Sequence, residues 1–293
     1  MADHPRVLVT GATGYIAGLV LPELARRYDL RLTDARPLTR DGRALPGLIA
    51  LDLHQAPDAE IRALFDGCDA VVHLAYYRTD VNSPQWSSIS NYVEERGNID
   101  LVERVLAMCA QTGVRRAVIA SSNHAADWYE HLLRANRMDV VDPDTTVPKS
   151  DNYYGWAKAA YEHLGFVHAS GGLGHRVQNV HIRIGAPREI AASAFFPDGP
   201  GTAGDAVGYR RDLGAYISAR DLAQLIVKSI DTPSIEDAHG IPFQVFYGTS
   251  GNARAIWSIA NARRVIGYAP EDDSEARFPD EIRAHLIDPA RNG

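Results

Sequence analysis

Short apolar runs of β character alternate with segments of helical period along most of the chain. Val7, Leu8 and Val9 open the series. The turn Gly11-Ala12-Thr13-Gly14 follows, and then a helical spacing of Ile16, Leu19, Val20 and Leu24. Residues 30–34 read as a second strand and 48–53 as a third, buried one. Residues 59–65 have a helical period. Residues 70–75 are nearly all apolar, as strands covered on both faces are. A long helix is expected over 91–112, with Val93, Ile99, Leu101, Val102, Val105, Leu106 and Cys109 on its apolar side. A fifth strand over 117–122 ends in two hydroxyls, a helix over 153–169 comes next, and a sixth strand spans 177–184.

Two stretches break this rhythm early. Residues 76–90 are polar, aromatic and irregular and hold Arg78, Asp80, Asn82, Pro84 and Trp86. A loop is expected from Asn123-His124 to about Asn152. After Gly185, residues 186–208 are rich in Pro, Gly and Ala. A strand at 214–218, a helix at 221–230, a strand at 243–247 and a helix at 255–266 then restore order. Such alternation predicts an α/β protein with a doubly wound parallel sheet.

Composition narrows the classes. Of 293 residues, 45% are hydrophobic and 23% charged, which suits a soluble globular protein. A net charge of −7 gives no electrostatic reason to expect nucleic acid or an anionic membrane as partner. No apolar run approaches the ~20 residues that cross a bilayer, and residues 1–5 lack a signal peptide's apolar region. Cys68 and Cys109 form no C-x-x-C, so two inert thiols in a reducing cytoplasm are expected. His124, His131, His168, His175 and His181 show no metal-ligand spacing, so no metal is expected.

The first turn carries the first chemistry. A strand that meets a glycine-rich turn and opens a helix presents backbone N–H groups to a phosphate. Gly11 suits the tight turn, and Gly14 lets a pyrophosphate approach. The third small position is Ala17 rather than glycine. Asp34 ends the second strand about 20 residues on, where a carboxylate accepts hydrogen bonds from the adenosine ribose. It would repel a 2′-phosphate, so NAD is expected over NADP, with Arg36 nearby to soften that preference. Asp52 and Leu53 fall at the end of the third strand, beside the adenine. These features make residues 1–185 a dinucleotide-binding domain of Rossmann type. Residues 186–293 become a small C-terminal substrate lobe whose segments at about 214–231 and 243–248 rejoin the core. His73 is expected in the core, and the 76–90 loop on the substrate side.

Tyr154 and Lys158, spaced i and i+4, share a helix face. A tyrosine of pKa ~10 is a poor base at neutral pH. A nearby ammonium and a positive nicotinamide ring would stabilise its phenolate and bring it into the range of general base catalysis.

Gly11/Gly14, Asp34, Ser122 and Tyr154-x-x-x-Lys158, in this order, resemble the extended short-chain dehydrogenase/reductases, also called NAD-dependent epimerase/dehydratases. The resemblance covers nearly the whole chain. It implies that Ser122 holds the reacting hydroxyl, that Tyr154 is the acid/base, and that Lys158 binds the nicotinamide ribose and tunes Tyr154. It further implies an NAD site drawn from Gly11, Thr13, Gly14, Tyr15, Ile16, Asp34, Asp52, Leu53, Leu74, Ala75, Asn98 and Lys158.

A narrower resemblance is to uronate dehydrogenases and archaeal NAD-dependent glucose-6-phosphate dehydrogenases. It rests on residues 120–124, 154–158, 183–185, 247–252 and 262–268. It implies oxidation of the anomeric carbon of an acidic sugar, a uronate or sugar phosphate, to a lactone. Ser122, Asn123, His124 and Tyr154 would meet the sugar, and Arg211 (with Arg210 beside it) and Arg78 its anionic group. The chain departs from that pattern at three places. Arg78 and Ala186 stand where serines are usual, and the loop over 127–152 is longer. A nucleotide-sugar epimerase with tightly held NAD is the alternative, though residues 186–212 are short for a nucleotide. A dehydratase is disfavoured, because Asn123-His124 replace the Asp-Glu acid pair. A non-enzymatic NAD-binding protein ranks third, since both Tyr154 and Lys158 are present. The resemblance also implies a homodimer built on the helices at 91–112 and 154–169.

Overall fold

The computed structural model describes residues 4–78 and 91–288. Asp80, Asn82, Pro84 and Trp86 lie outside the described residues. Strand β1 (Arg6–Thr10) leads into helix α1 (Tyr15–Arg27), followed by β2 (Asp29–Asp34) and β3 (Leu48–Ala50). Next come α2 (Asp58–Phe65), β4 (Ala70–His73), α3 (Tyr92–Thr112) and β5 (Arg116–Ser122). A 3-10 segment (Asn123–Tyr129), α4 (Glu130–Arg134), α5 (Tyr153–Ser170) and β6 (Gln178–Ile184) complete the first two thirds. Then follow α6 (Ala206–Ala215), α7 (Ala219–Asp231), β7 (Phe243–Gly248) and α8 (Ala260–Ile266).

The seven strands form one parallel sheet in the order β3-β2-β1-β4-β5-β6-β7. Val7, Leu8 and Val9 are fully buried because helices cover both faces. One face packs α1 and α7 through Val20, Leu24, Leu222 and Ile226, and the other packs α2, α3 and α5 through Ile61, Leu106, Ala157 and Tyr161. Burial of each such aliphatic side chain contributes about 1.5–3 kcal/mol. The chain reverses its winding direction at β1. A cleft therefore opens at the carboxyl ends of β1 and β4, the usual ligand site in such sheets. A third apolar cluster lies beyond the ends of β6 and β7 and includes Tyr209, Tyr247, Trp257 and Phe278.

Three expectations are corrected. The third strand is short and half exposed, because it forms the sheet edge, and it ends at Ala50 before Asp52 and Leu53. The strand expected at 214–218 does not form: residues 214 and 215 are the last two of helix α6, and an extended tail follows from Tyr216. Asp205 caps this helix by accepting from Gly208 N at 2.7 Å, and a Cβ on Gly214 would lie 2.4 Å from the Arg254 carbonyl oxygen. Only Tyr216 keeps a β-like contact, pairing with Ala186. The loop after His124 contains the 3-10 segment and α4. His73 sits in the core as expected, bonded to Thr10 Oγ1 at 2.7 Å, and burial pushes its imidazole down to about 3. No helix among the described residues is long and apolar enough to cross a membrane.

Candidate active site

The β1–α1 turn is shaped by close approach. Gly11 has φ +68°, and a Cβ there would lie 2.5 Å from the Ala75 nitrogen and 2.6 Å from the Leu74 carbonyl carbon. Glycine thus lets the turn press against the end of β4. Helix α1 begins at Gly14 with no side-chain cap and no acidic residue in its first turn. Its terminal N–H groups and dipole suit an anion. Asp34 Oδ2 accepts from Thr13 N at 2.9 Å and from Thr13 Oγ1 at 2.6 Å, which ties the turn to the end of β2. Tyr15 reaches over the cleft and donates to the Pro187 carbonyl at 2.7 Å. Ile16 packs into the core beneath the turn.

At the end of β5, Ser122 is buried; its hydroxyl donates to Asn123 Oδ1 at 3.4 Å, accepts from His124 N at 3.2 Å, and is near enough to Tyr154 to favour its phenolate. Lys158, one turn further along α5, is also buried and donates to the Ala120 carbonyl at 3.1 Å. Its Nζ lies 5.4 Å from the centre of the Tyr154 ring and 4.6 Å from that of Tyr161. Burial, with the Glu95 charge, pushes the Tyr154 phenol up to about 12, opposed by the nearby Ser122 hydroxyl and the Arg78 charge. Burial likewise pushes the Lys158 ammonium down to about 8, while Glu95 and Glu162 favour its charged form. The protein's own groups thus leave the tyrosine raised, not lowered.

The match to known proteins follows this geometry. Residues 7–179 match the NAD dependent epimerase/dehydratase family. The chain belongs to that family. It is 30% identical to the NAD-dependent glucose-6-phosphate dehydrogenase of Haloferax volcanii, over 93% of this chain and 95% of that protein. It is also 30% identical to the uronate dehydrogenase of Pseudomonas putida, over 92% of this chain and 85% of that protein. The crystal structure of uronate dehydrogenase from Agrobacterium tumefaciens superposes with a TM-score of 0.69 at 25% identity, covering 94% of this chain and 87% of the other.

As a member of this family of sugar dehydrogenases and epimerases, the protein uses NAD. The cradle fits that cofactor, because the uncapped α1 terminus can meet the pyrophosphate and Asp34 stands at the end of β2. Leu74 and Ala75 border the turn at the end of β4. Asp52 accepts from His54 N at 2.9 Å, and Leu53 is buried on the α3 side, its carbonyl bonded to Arg104. Asn98 is buried in α3 and bonded to the backbone beside the cleft. Its side chain accepts from Tyr77 N at 2.7 Å and donates to the Tyr77 and Glu94 carbonyls, so it clamps the segment after β4.

On the sugar side, Asn123 is buried beside Ser122, and His124 lies edge-on to Tyr154 with ring centres 5.8 Å apart. Asp127 orients His124 through a 2.9 Å contact to Nδ1. The Arg78 guanidinium lies 5.6 Å from the centre of the Tyr76 ring. Arg211 is engaged by the protein itself. Glu130 Oε1 lies 2.9 Å from its Nη2, and Asp212 Oδ1 lies 3.1 Å from its Nη1.

Sequence reading missed Glu162, Glu95 and Glu130. Glu162 is fully engaged below the site, accepting from Ser121 at 2.9 Å and from Arg183 at 2.8 and 2.7 Å. It stands four residues after Lys158, a spacing that could have marked it. Glu95 accepts from the Tyr76 hydroxyl. Among the described residues no group of three or more His, Cys, Asp or Glu could hold a metal ion.

Proposed function

We propose that this protein oxidises the anomeric carbon of an unactivated aldose to the lactone. The observation that carries this reading is the buried Ser122 at the end of β5 beside Tyr154, with the buried Lys158 ammonium one turn further along α5 and 5.4 Å from the centre of the Tyr154 ring. Ser122 orients the C1 hydroxyl, and Tyr154 takes its proton. Lys158 would hold the nicotinamide ribose and, with Ser122, favour the phenolate. Bound NAD supplies the hydride acceptor and the further positive charge that a phenol at about 12 needs in order to act near neutrality. Gly11, Gly14 and the α1 terminus would hold the pyrophosphate, and Asp34 the adenosine ribose.

An acidic sugar was the finer expectation, with Arg211 as its holder. Arg211 is paired with Glu130 and Asp212, so the reading extends to aldoses as a class. The test is NADH formation on mixing the protein with NAD and a panel of hexoses, uronates and hexose phosphates. Sustained NADH release with lactone as product is expected. Redox-neutral turnover of a UDP-sugar with NAD retained would instead make the protein an epimerase.

A further inference from the structure

Arg211 is held on two edges. Its Nε lies 3.2 Å from each Glu130 oxygen, its Nη2 2.9 Å from Glu130 Oε1, and its Nη1 3.1 Å from Asp212 Oδ1. The Trp257 ring lies beneath, 5.4 Å from the guanidinium carbon. Side-chain exposure is 16% for Arg211 and 11% for Glu130, so this is a largely buried pair. Two carboxylates against one guanidinium leave no net positive charge on this trio. Arg188 pairs with the other Asp212 oxygen, and Arg134 lies 3.4 Å from Glu130 Oε2.

The pair faces a cavity of about 350 Å³ whose lining includes Glu130, Arg211, Asp127, Asp151, Arg134 and His124. That volume is in the small-molecule range. His124 joins the cavity to the catalytic tyrosine, because its ring lies edge-on to that of Tyr154. A sugar whose C1 hydroxyl meets Ser122 and Tyr154 would extend its other end past His124 toward Glu130. A carboxylate or phosphate that takes Arg211 as its partner there competes with Glu130 for it. That costs the largely buried Glu130 its main ion pair, with only Arg134 left to it, and sets the anion beside Asp127 and Asp151, which line the same cavity. A hydroxyl group meets no such cost, since a carboxylate held by arginine is a strong acceptor for O–H.

We propose that Glu130 turns the Arg211 end of the site into a wall for sugar hydroxyls and closes it to a substrate anion, so that this chain selects neutral aldoses over uronates and sugar phosphates. The inference rests on the reading that the site oxidises a sugar. Arg211 then acts as a positioning residue that holds Glu130.

The experiment measures kcat/KM with NAD for glucose, galactose, glucuronate, galacturonate and glucose 6-phosphate in the wild type, Glu130→Gln and Arg211→Gln. The wild type is expected to favour the neutral hexoses. Glu130→Gln should raise the acid-to-neutral ratio about tenfold or more, by the strength of a charged hydrogen bond. Arg211→Gln should leave that ratio unlowered. A wild type that prefers acids, together with an Arg211→Gln ratio that falls about tenfold, overturns the inference while sugar oxidation stands. If no sugar is turned over, the proposed oxidation fails first, and calorimetry with NAD decides the inference. Glucuronate binding gained only in Glu130→Gln supports it, and equal glucuronate binding by the wild type and Glu130→Gln overturns it.

Discussion

Two helices begin at the site, and their N-termini are built in opposite ways. Helix α1 starts at Gly14 with no side-chain cap. Helix α5 starts at Asn152, whose Oδ1 accepts from Gly155 N at 2.9 Å, while its Nδ2 donates to Asp127 Oδ2 at 3.1 Å. The first terminus keeps backbone donors for a ligand. The second has satisfied a donor internally and is tied to the residue that orients His124. One end of the site is therefore a receptor made of backbone, and the other a fixture that places side chains.

The largest effect belongs to the fixture. Tyr154→Phe keeps the ring and removes the proton acceptor. Turnover of any oxidised sugar should fall about 10³-fold, within the range of general acid–base catalysis, while NAD affinity measured by fluorescence stays near wild type. Equal losses of turnover and NAD binding would mean that the two ends are not separable in this way.

Next comes the support beneath α5. Glu162 and Arg183 form a buried bidentate pair, 5% and 1% exposed at their side chains, and Ser121 and Tyr247 bond to it. Removing one partner strands the other charge. Glu162→Gln should lower unfolding stability by about 3–5 kcal/mol, read as a shifted urea midpoint. A loss below about 1 kcal/mol would mean that water or a neighbour takes over the arginine, and that this junction is less rigid than its contacts imply.

The same contrast explains what could be read from the chain beforehand. The receptor end is local. Gly11, Gly14 and Asp34 act through backbone conformation and a fixed spacing, so a short stretch contains the whole device. The parallel strands are equally local in signal, because burial on both faces makes each one a nearly unbroken apolar run. The sugar end is not local. Glu130 lies in a segment read as loop, and its meaning depends on Arg211, 81 positions away. Helix α6 has no counterpart in the linear pattern, which gives an irregular stretch to 208 and a strand from 214, because Asp205 and the close approach of the Arg254 backbone to Gly214 act from outside that pattern. Asn98 joins the cofactor residues by resemblance alone, and the bonds of its amide to the Tyr77 backbone are not visible in the chain. Each of these depends on which distant group arrives opposite, and a linear pattern does not carry that information.

The smallest effects test the two termini directly. Asn152→Ala removes the cap of α5 and should reduce stability by about 1 kcal/mol. It also frees Asp127, so kcat should fall more than NAD affinity, because Asp127 orients His124 on the sugar side. Gly14→Ser does the reverse at α1. The backbone there is extended, with φ −74° and ψ 167°, a conformation that serine adopts readily as an N-cap. Its Cβ would sit 3.0 Å from the Gly11 carbonyl oxygen, and its hydroxyl would compete for donors that a pyrophosphate uses. NAD affinity should weaken about tenfold, the equivalent of one charged hydrogen bond, as measured by calorimetry. If Gly14→Ser left NAD binding intact while Asn152→Ala weakened it, the assignment of receptor and fixture would have to be exchanged. If both left it intact, pyrophosphate binding would not depend on the α1 terminus, and the open cap at Gly14 would be only a consequence of the close turn at Gly11.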